Sequence, residues 1–155
     1  MEPAPYHIYL DGDACPVKEE TYRVAQRHGL CVTVVANSWM RLPNLTHVHL
    51  EVVDDGFDAA DDWIAERAGP GDIVVTADIP LASRCVKTGA TVIGPTGHPF
   101  TEQNIGNVLA TRDLMAELRD SGTIRSGPAP MSDRDRSRYL QALDAAAHAV
   151  KRQGA

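Results

Sequence analysis

The chain has 155 residues, 15 Lys+Arg against 21 Asp+Glu and a formal net charge of -6. That length suits one domain, and the charge total argues against a generic, electrostatically driven nucleic-acid binder. The 43% hydrophobic and 23% charged content is that of a soluble globular protein, and no apolar run approaches the roughly 18 residues of a membrane span. The total hides an asymmetry, however. Residues 1–80 carry 14 acidic and 5 basic side chains, whereas residues 81–155 carry 7 and 10.

His7-Ile8-Tyr9-Leu10 is a short apolar run ending at Asp11, which predicts a first strand. Cys15-Pro16 then opens a helix, with Pro16 at the first helical position, where its missing N–H costs nothing; Gly29 stops it. Residues 31–36 form a β-branched run expected of a strand covered on both faces. Residues 37–45, with Pro43 and two Asn, read as a loop. Residues 47–53 alternate in polarity like a strand with one wetter face. Asp58 suits the N-cap of a helix that ends before Gly69-Pro70-Gly71, and Trp63 falls on its core stripe. Residues 72–77 predict a buried strand, 80–87 a short helix and 90–93 a fifth strand. Beyond Gly97 the pattern turns helical as far as Leu118. A Gly/Pro/Ser linker covers 121–130 and a last helix covers 132–152.

Strands alternating with helices imply βαβ units and a mostly parallel sheet. The expected fold is therefore a three-layer α/β sandwich with five strands and C-terminal helices. It forms one domain over 1–155, with the α/β core in 1–97 and a helical extension in 98–155. Ligands of such sheets bind at the carboxyl ends of the strands, where strand order reverses. Three sparse cysteines (Cys15, Cys31, Cys85) with no C-x-x-C pair read as reduced thiols. With an N-terminus that lacks basic and apolar leader regions, they predict a cytoplasmic protein.

Two strands end in carboxylates, Asp11-Gly12-Asp13 and Thr76-Ala77-Asp78, and a helix start adds Asp58, Asp61 and Asp62. Clustered carboxylates repel, so a site built of them is commonly neutralised by a cation. Oxygen donors without His or Cys point to Mg²⁺ or Mn²⁺ rather than Zn²⁺. Each Asp also has a purely structural use, as an N-cap, a turn residue or a complement to the helix dipole.

The stretch Asp11-Gly12-Asp13-Ala14-Cys15-Pro16-Val17-Lys18 resembles the D-A-D-A-C-P-V-K signature of the YaiI/YqxD family of bacterial proteins, with Gly12 in place of the middle Ala. The stretches 57–64, 76–82 and 127–130 resemble it too. That family is similar to a branch of the PIN-like nucleases, a more distant likeness covering roughly residues 6–95. The resemblance implies a divalent-metal-dependent phosphodiesterase acting on RNA or another single-stranded nucleic acid. Asp11, Asp61 and Asp78 would hold one or two Mg²⁺ or Mn²⁺ ions and Asp13 would be the accessory acid. Asp61 matches the helix position through its Asp-x-x-Ile spacing to Ile64. Lys18, Thr76, Ser83 and Arg84 are candidate helpers for a ligand, the attacking water or a phosphate.

Arg112, Arg119, Arg125, Arg134, Arg136 and Arg138 either guide a nucleic-acid backbone with their positive charge or are scattered arginines on solvated helix faces. Three other readings compete. One is a non-catalytic PIN-like module that binds nucleic acid or protein. A second is an Asp-x-Asp phosphatase, whose motif order this chain does not follow. In the third, Cys15 is a nucleophile at a helix start, against which stand the missing Arg of a Cys-x₅-Arg loop and the neighbouring carboxylates. Trp39 is either a base-stacking residue or a loop anchor.

Overall fold

The computed structural model describes residues 7–12, 15–53, 59–106 and 131–153. Six strands form one sheet in the order β3-β2-β1-β4-β5-β6. They are β1 (His7–Asp11), β2 (Cys31–Ala36), β3 (Val48–Val52), β4 (Ile73–Val75), β5 (Thr91–Ile93) and β6 (Pro99–Phe100). The first five are parallel, and β6 runs antiparallel to β5. The described helices are α1 (Lys18–His28), α2 (Ala59–Arg67), α3 (Ile79–Lys87) and α4 (Asp133–Gln153).

The period-2 alternation of each strand divides the core into two. Ile8, Leu10, Val32, Val34, Ile73 and Val75 pack with Val17, Val24 and Ala25 around α1 and with Tyr139, Leu143, Ala147 and Val150 of α4. On the other face, Tyr9, Val35, Val74 and Val92 meet Ile64 of α2 and Leu81, Cys85 and Val86 of α3. The result is the expected three-layer sandwich, with α1 and α4 on one side and α2 and α3 on the other. Each fully buried aliphatic side chain contributes about 1.5–3 kcal/mol.

The structure corrects four details. The sheet has six strands, and β6 lies beyond residue 97, so the α/β sheet reaches past the expected core boundary. Phe100 anchors β6 by packing over Gly94. Pro16 does not start α1; it sits in a turn, and the helix begins at Lys18 with Val17 as its cap residue. Trp63 is only half buried, edge-on to Tyr9 and beneath the Arg67 guanidinium, 3.9 Å from its ring centroid. Trp39 is no loop anchor, being 74% exposed. The expected N-cap Asp58, the pattern as far as Leu118 beyond residue 106 and the linker at 121–130 lie outside the described residues.

Helix ends follow local chemistry. Glu19 and Glu20 sit in the first turn of α1 and Arg27 and His28 in its last, matching the helix dipole, and Gly29 closes it at φ 71°. Ser132 and Asp135 bond each other's backbone N–H at the start of α4, a reciprocal cap. Cys15, Cys31 and Cys85 are all free thiols. Among the described residues no helix is long and apolar enough to cross a membrane.

Candidate functional site

Strand order reverses between β1 and β4: β2 and β3 lie on one side of the pair, β5 and β6 on the other. Connections leaving the two strands diverge to opposite sides, which opens a crevice at their carboxyl ends. A cavity of about 240 Å³ lies there, lined by Asp11, Cys15, Thr76, Ala77, Asp78 and Pro95 together with Val75.

The geometry of this cleft turns on Thr76. Its buried hydroxyl donates to Asp11 Oδ2 at 2.9 Å and accepts the Asp78 backbone N–H at 2.9 Å. Asp78 in turn caps α3, its Oδ1 accepting the Leu81 N–H at 3.1 Å. The ends of β1 and β4 and the start of α3 are thereby tied into one polar chain. Among the described residues Asp78 Oδ2 has no hydrogen-bond partner. With its proton committed to Asp11, Thr76 serves to position that carboxylate.

Asp61 does not line this cavity. It lies on the first turn of α2, within electrostatic reach of Arg84 and Cys85. The ligand atoms of Asp11, Asp61 and Asp78 do not all fall within 4.8 Å of one another. Asp13 lies outside the described residues. Of the three expected carboxylates among the described residues, two, Asp11 and Asp78, line the cleft.

The helper residues are differently placed. Lys18 Nζ donates to the Cys15 carbonyl at 3.1 Å and holds the turn before α1. Ser83 is buried within α3. Arg84 is paired with Asp62 at 2.7 Å, a hydrogen bond that pushes the guanidinium pKa further up. Ser83 is therefore closed to a phosphate, whereas Arg84 is exposed and already paired with a carboxylate. Burial pushes the Cys15 thiol up from its ordinary range, so it is a protonated wall of the cleft and not a poised nucleophile.

Two further features share this edge of the sheet. Trp39 projects from the connection that leaves the carboxyl end of β2. A groove lined by Thr96, His98, Arg138 and Gln141 runs beside the carboxyl end of β5. Arg138 and the 96–99 segment that lines this groove with it were not readable as neighbours, because their proximity depends on how α4 packs. The one signal available was the Gly94–Gly97 turn itself, and Gly97, at φ 89°, comes so close to α4 that an added Cβ would lie 2.7 Å from the Arg138 carbonyl.

The charged donors of the cleft are the Asp11 and Asp78 carboxylates, hard oxygen ligands, and burial keeps the neighbouring Cys15 thiol protonated. This chemistry fits Mg²⁺ or Mn²⁺, with water completing the coordination.

Residues 9–149 match the protein family described as "Uncharacterized BCR, YaiI/YqxD family". The chain is 56% identical over 154 residues to a UPF0178 protein of Rhodopseudomonas palustris (strain BisB5), covering 99% of this chain and 94% of the relative. A UPF0178 protein of another strain of that species (ATCC BAA-98 / CGA009) is 57% identical over 155 residues, covering 100% and 98%. One from Nitrobacter winogradskyi is 58% identical over 145 residues, covering 94% and 92%. No solved structure matches.

Proposed function

We propose that this chain, which belongs to the YaiI/YqxD family, is a divalent-metal-dependent phosphodiesterase of the PIN-like kind acting on RNA or another single-stranded nucleic acid. The observation that carries this reading is the Asp11–Thr76–Asp78 chain in a cleft at the switch point of a parallel sheet.

Asp11 and Asp78 would hold Mg²⁺ or Mn²⁺, with Asp61 and Asp13 as further acids. Such an ion, when bound, supplies activation of a water and neutralisation of charge on the departing oxygen. Thr76 fixes the Asp11 carboxylate, and the α3 cap fixes Asp78, so both acids are oriented before substrate arrives. The exposed Trp39 offers a stacking surface for a base. The groove at Arg138 offers a basic path for the backbone beside the acidic centre.

A second reading is a PIN-like module that binds nucleic acid without cutting it. One observation favours it: Asp61 is not among the residues that line the cleft.

Cleavage of single-stranded RNA by the purified chain with Mn²⁺ separates the two. The nuclease reading expects metal-dependent cutting that Asp11→Asn and Asp78→Asn each abolish. Binding without cleavage in the presence of either Mn²⁺ or Mg²⁺ would establish the second reading and overturn the first.

A further inference from the structure

At the opposite edge of the sheet, where α1 ends three residues before β2 begins, a second group of metal-competent side chains converges. His28 closes α1, and Asp144 and His148 stand one turn apart on α4. The two helices run parallel, since Arg136 meets Glu20 near their starts and Asp144 meets His28 eight residues further along each. That register brings the three side chains onto one seam.

Their geometry is compact. His28 Nε2 lies 2.7 Å from Asp144 Oδ1, and His148 Nε2 lies 3.6 Å from Asp144 Oδ2. The two imidazoles meet edge to face with centroids 4.6 Å apart. One ligand atom from each residue lies within 4.8 Å of the others. The His28 side chain is 4% exposed and held in place, whereas His148 is 57% exposed and leaves a side open to water. We propose that His28, Asp144 and His148 form a binding site for a divalent transition-metal ion, Zn²⁺ foremost, that clips α1 to α4.

Two nitrogens and one carboxylate suit Zn²⁺, Co²⁺ or Ni²⁺ over Mg²⁺, with water filling the remaining position. The carbonyl end of α1 adds a negative dipole beside the site. The metal takes the Nε2 lone pair of His28, so the ring proton now shared with Asp144 moves to Nδ1 or leaves to solvent. Two cations border the site, Arg27 at 3.7 Å from Asp144 Oδ1 and Lys151 Nζ at 3.4 Å from His28 Nδ1. Lys151 is exposed on a flexible stem and swings away as Nδ1 takes up the proton. This site is separate from the acidic cleft and uses none of its residues.

The test is calorimetric titration of the full chain with Zn²⁺, with the visible d–d spectrum of Co²⁺ as reporter of nitrogen ligation. The wild type is expected to take up Zn²⁺ in a saturable step and to gain thermal stability on doing so. His148→Ala, at an exposed position that tolerates truncation, is expected to weaken uptake by at least about tenfold, since loss of an outer-shell partner alone costs that much. Lys151→Gln is expected to tighten uptake about threefold by removing a nearby positive charge. Asp11→Asn and Asp78→Asn leave it unchanged. Zn²⁺ uptake that survives His148→Ala intact, or that disappears with Asp11→Asn, would overturn the proposal.

Discussion

Thr76 is the residue on which the cleft depends, because one hydroxyl both donates to Asp11 and accepts from the Asp78 backbone. Thr76→Val keeps the shape and removes both bonds, leaving a partly buried N–H and a carboxylate short of a partner. The expected loss is about 1–3 kcal/mol of stability in urea unfolding. The expected fall in Mn²⁺-dependent cleavage is about ten- to a hundredfold, and Thr76→Ser should restore most of each. Gly12 poses a different local question. It stands where the family signature has Ala, and Val34 fills the space: a Cβ built on Gly12 would lie 2.6 Å from Val34 Cγ1 and 3.1 Å from the Val35 carbonyl. Gly12→Ala therefore overpacks the end of β1 and should cost about 1–3 kcal/mol. Paired with Val34→Ala, part of that cost should vanish, giving a coupling of at least about 0.5 kcal/mol in a double-mutant cycle. Strict additivity would show that the two side chains do not compete for one space.

Among the elements, α1 and α4 form the seam that closes one layer of the sandwich. Arg136 crosses it to the buried Glu20 at 2.8 Å and to the Pro16 carbonyl at 3.1 Å, while Tyr139 hydrogen-bonds Thr21. Removing Arg136 strands a carboxylate that is only 7% exposed. Arg136→Met should cost about 2–3 kcal/mol, less than for a fully enclosed pair because Arg136 is partly solvated, and adding Glu20→Leu should recover most of it. Chemical denaturation of the single and double variants checks both values. This seam also explains why α4 belongs to the fold and is no appendage: its apolar face joins α1 and β5 in completing the core on that side of the sheet. The strands were readable where β-branched residues run unbroken, as in 31–36 and 73–75. β6 was not, because two residues headed by a proline have no period to detect. Pro16 misled because its fixed φ suits a turn as well as a first helical turn.

At the scale of the molecule, the described part of the first half's acidic excess includes two carboxylates at the switch point and others that serve local ends. Asp62 pairs with Arg84, and Asp72 accepts the backbone N–H groups of His7 and Gly69. Asp11 and Asp78 were legible as a pair because parallel strands must deliver their last residues to one edge. Asp61 was placed by its spacing to Ile64, and spacing along a helix does not determine how that helix turns toward its neighbours. Likewise, the i, i+4 spacing of Asp144 and His148 was visible in the chain. His28 could join them only through the parallel packing of α1 on α4, which no local pattern encodes. In the proposed function, Asp11 and Asp78 hold a catalytic divalent ion. Diffraction at the manganese absorption edge, from crystals soaked in Mn²⁺, tests it most directly. An anomalous peak between the Asp11 and Asp78 carboxylates, lost in Asp11→Asn, is the expected result; a cleft without manganese, or a peak that persists in the variant, would overturn the metal-dependent reading.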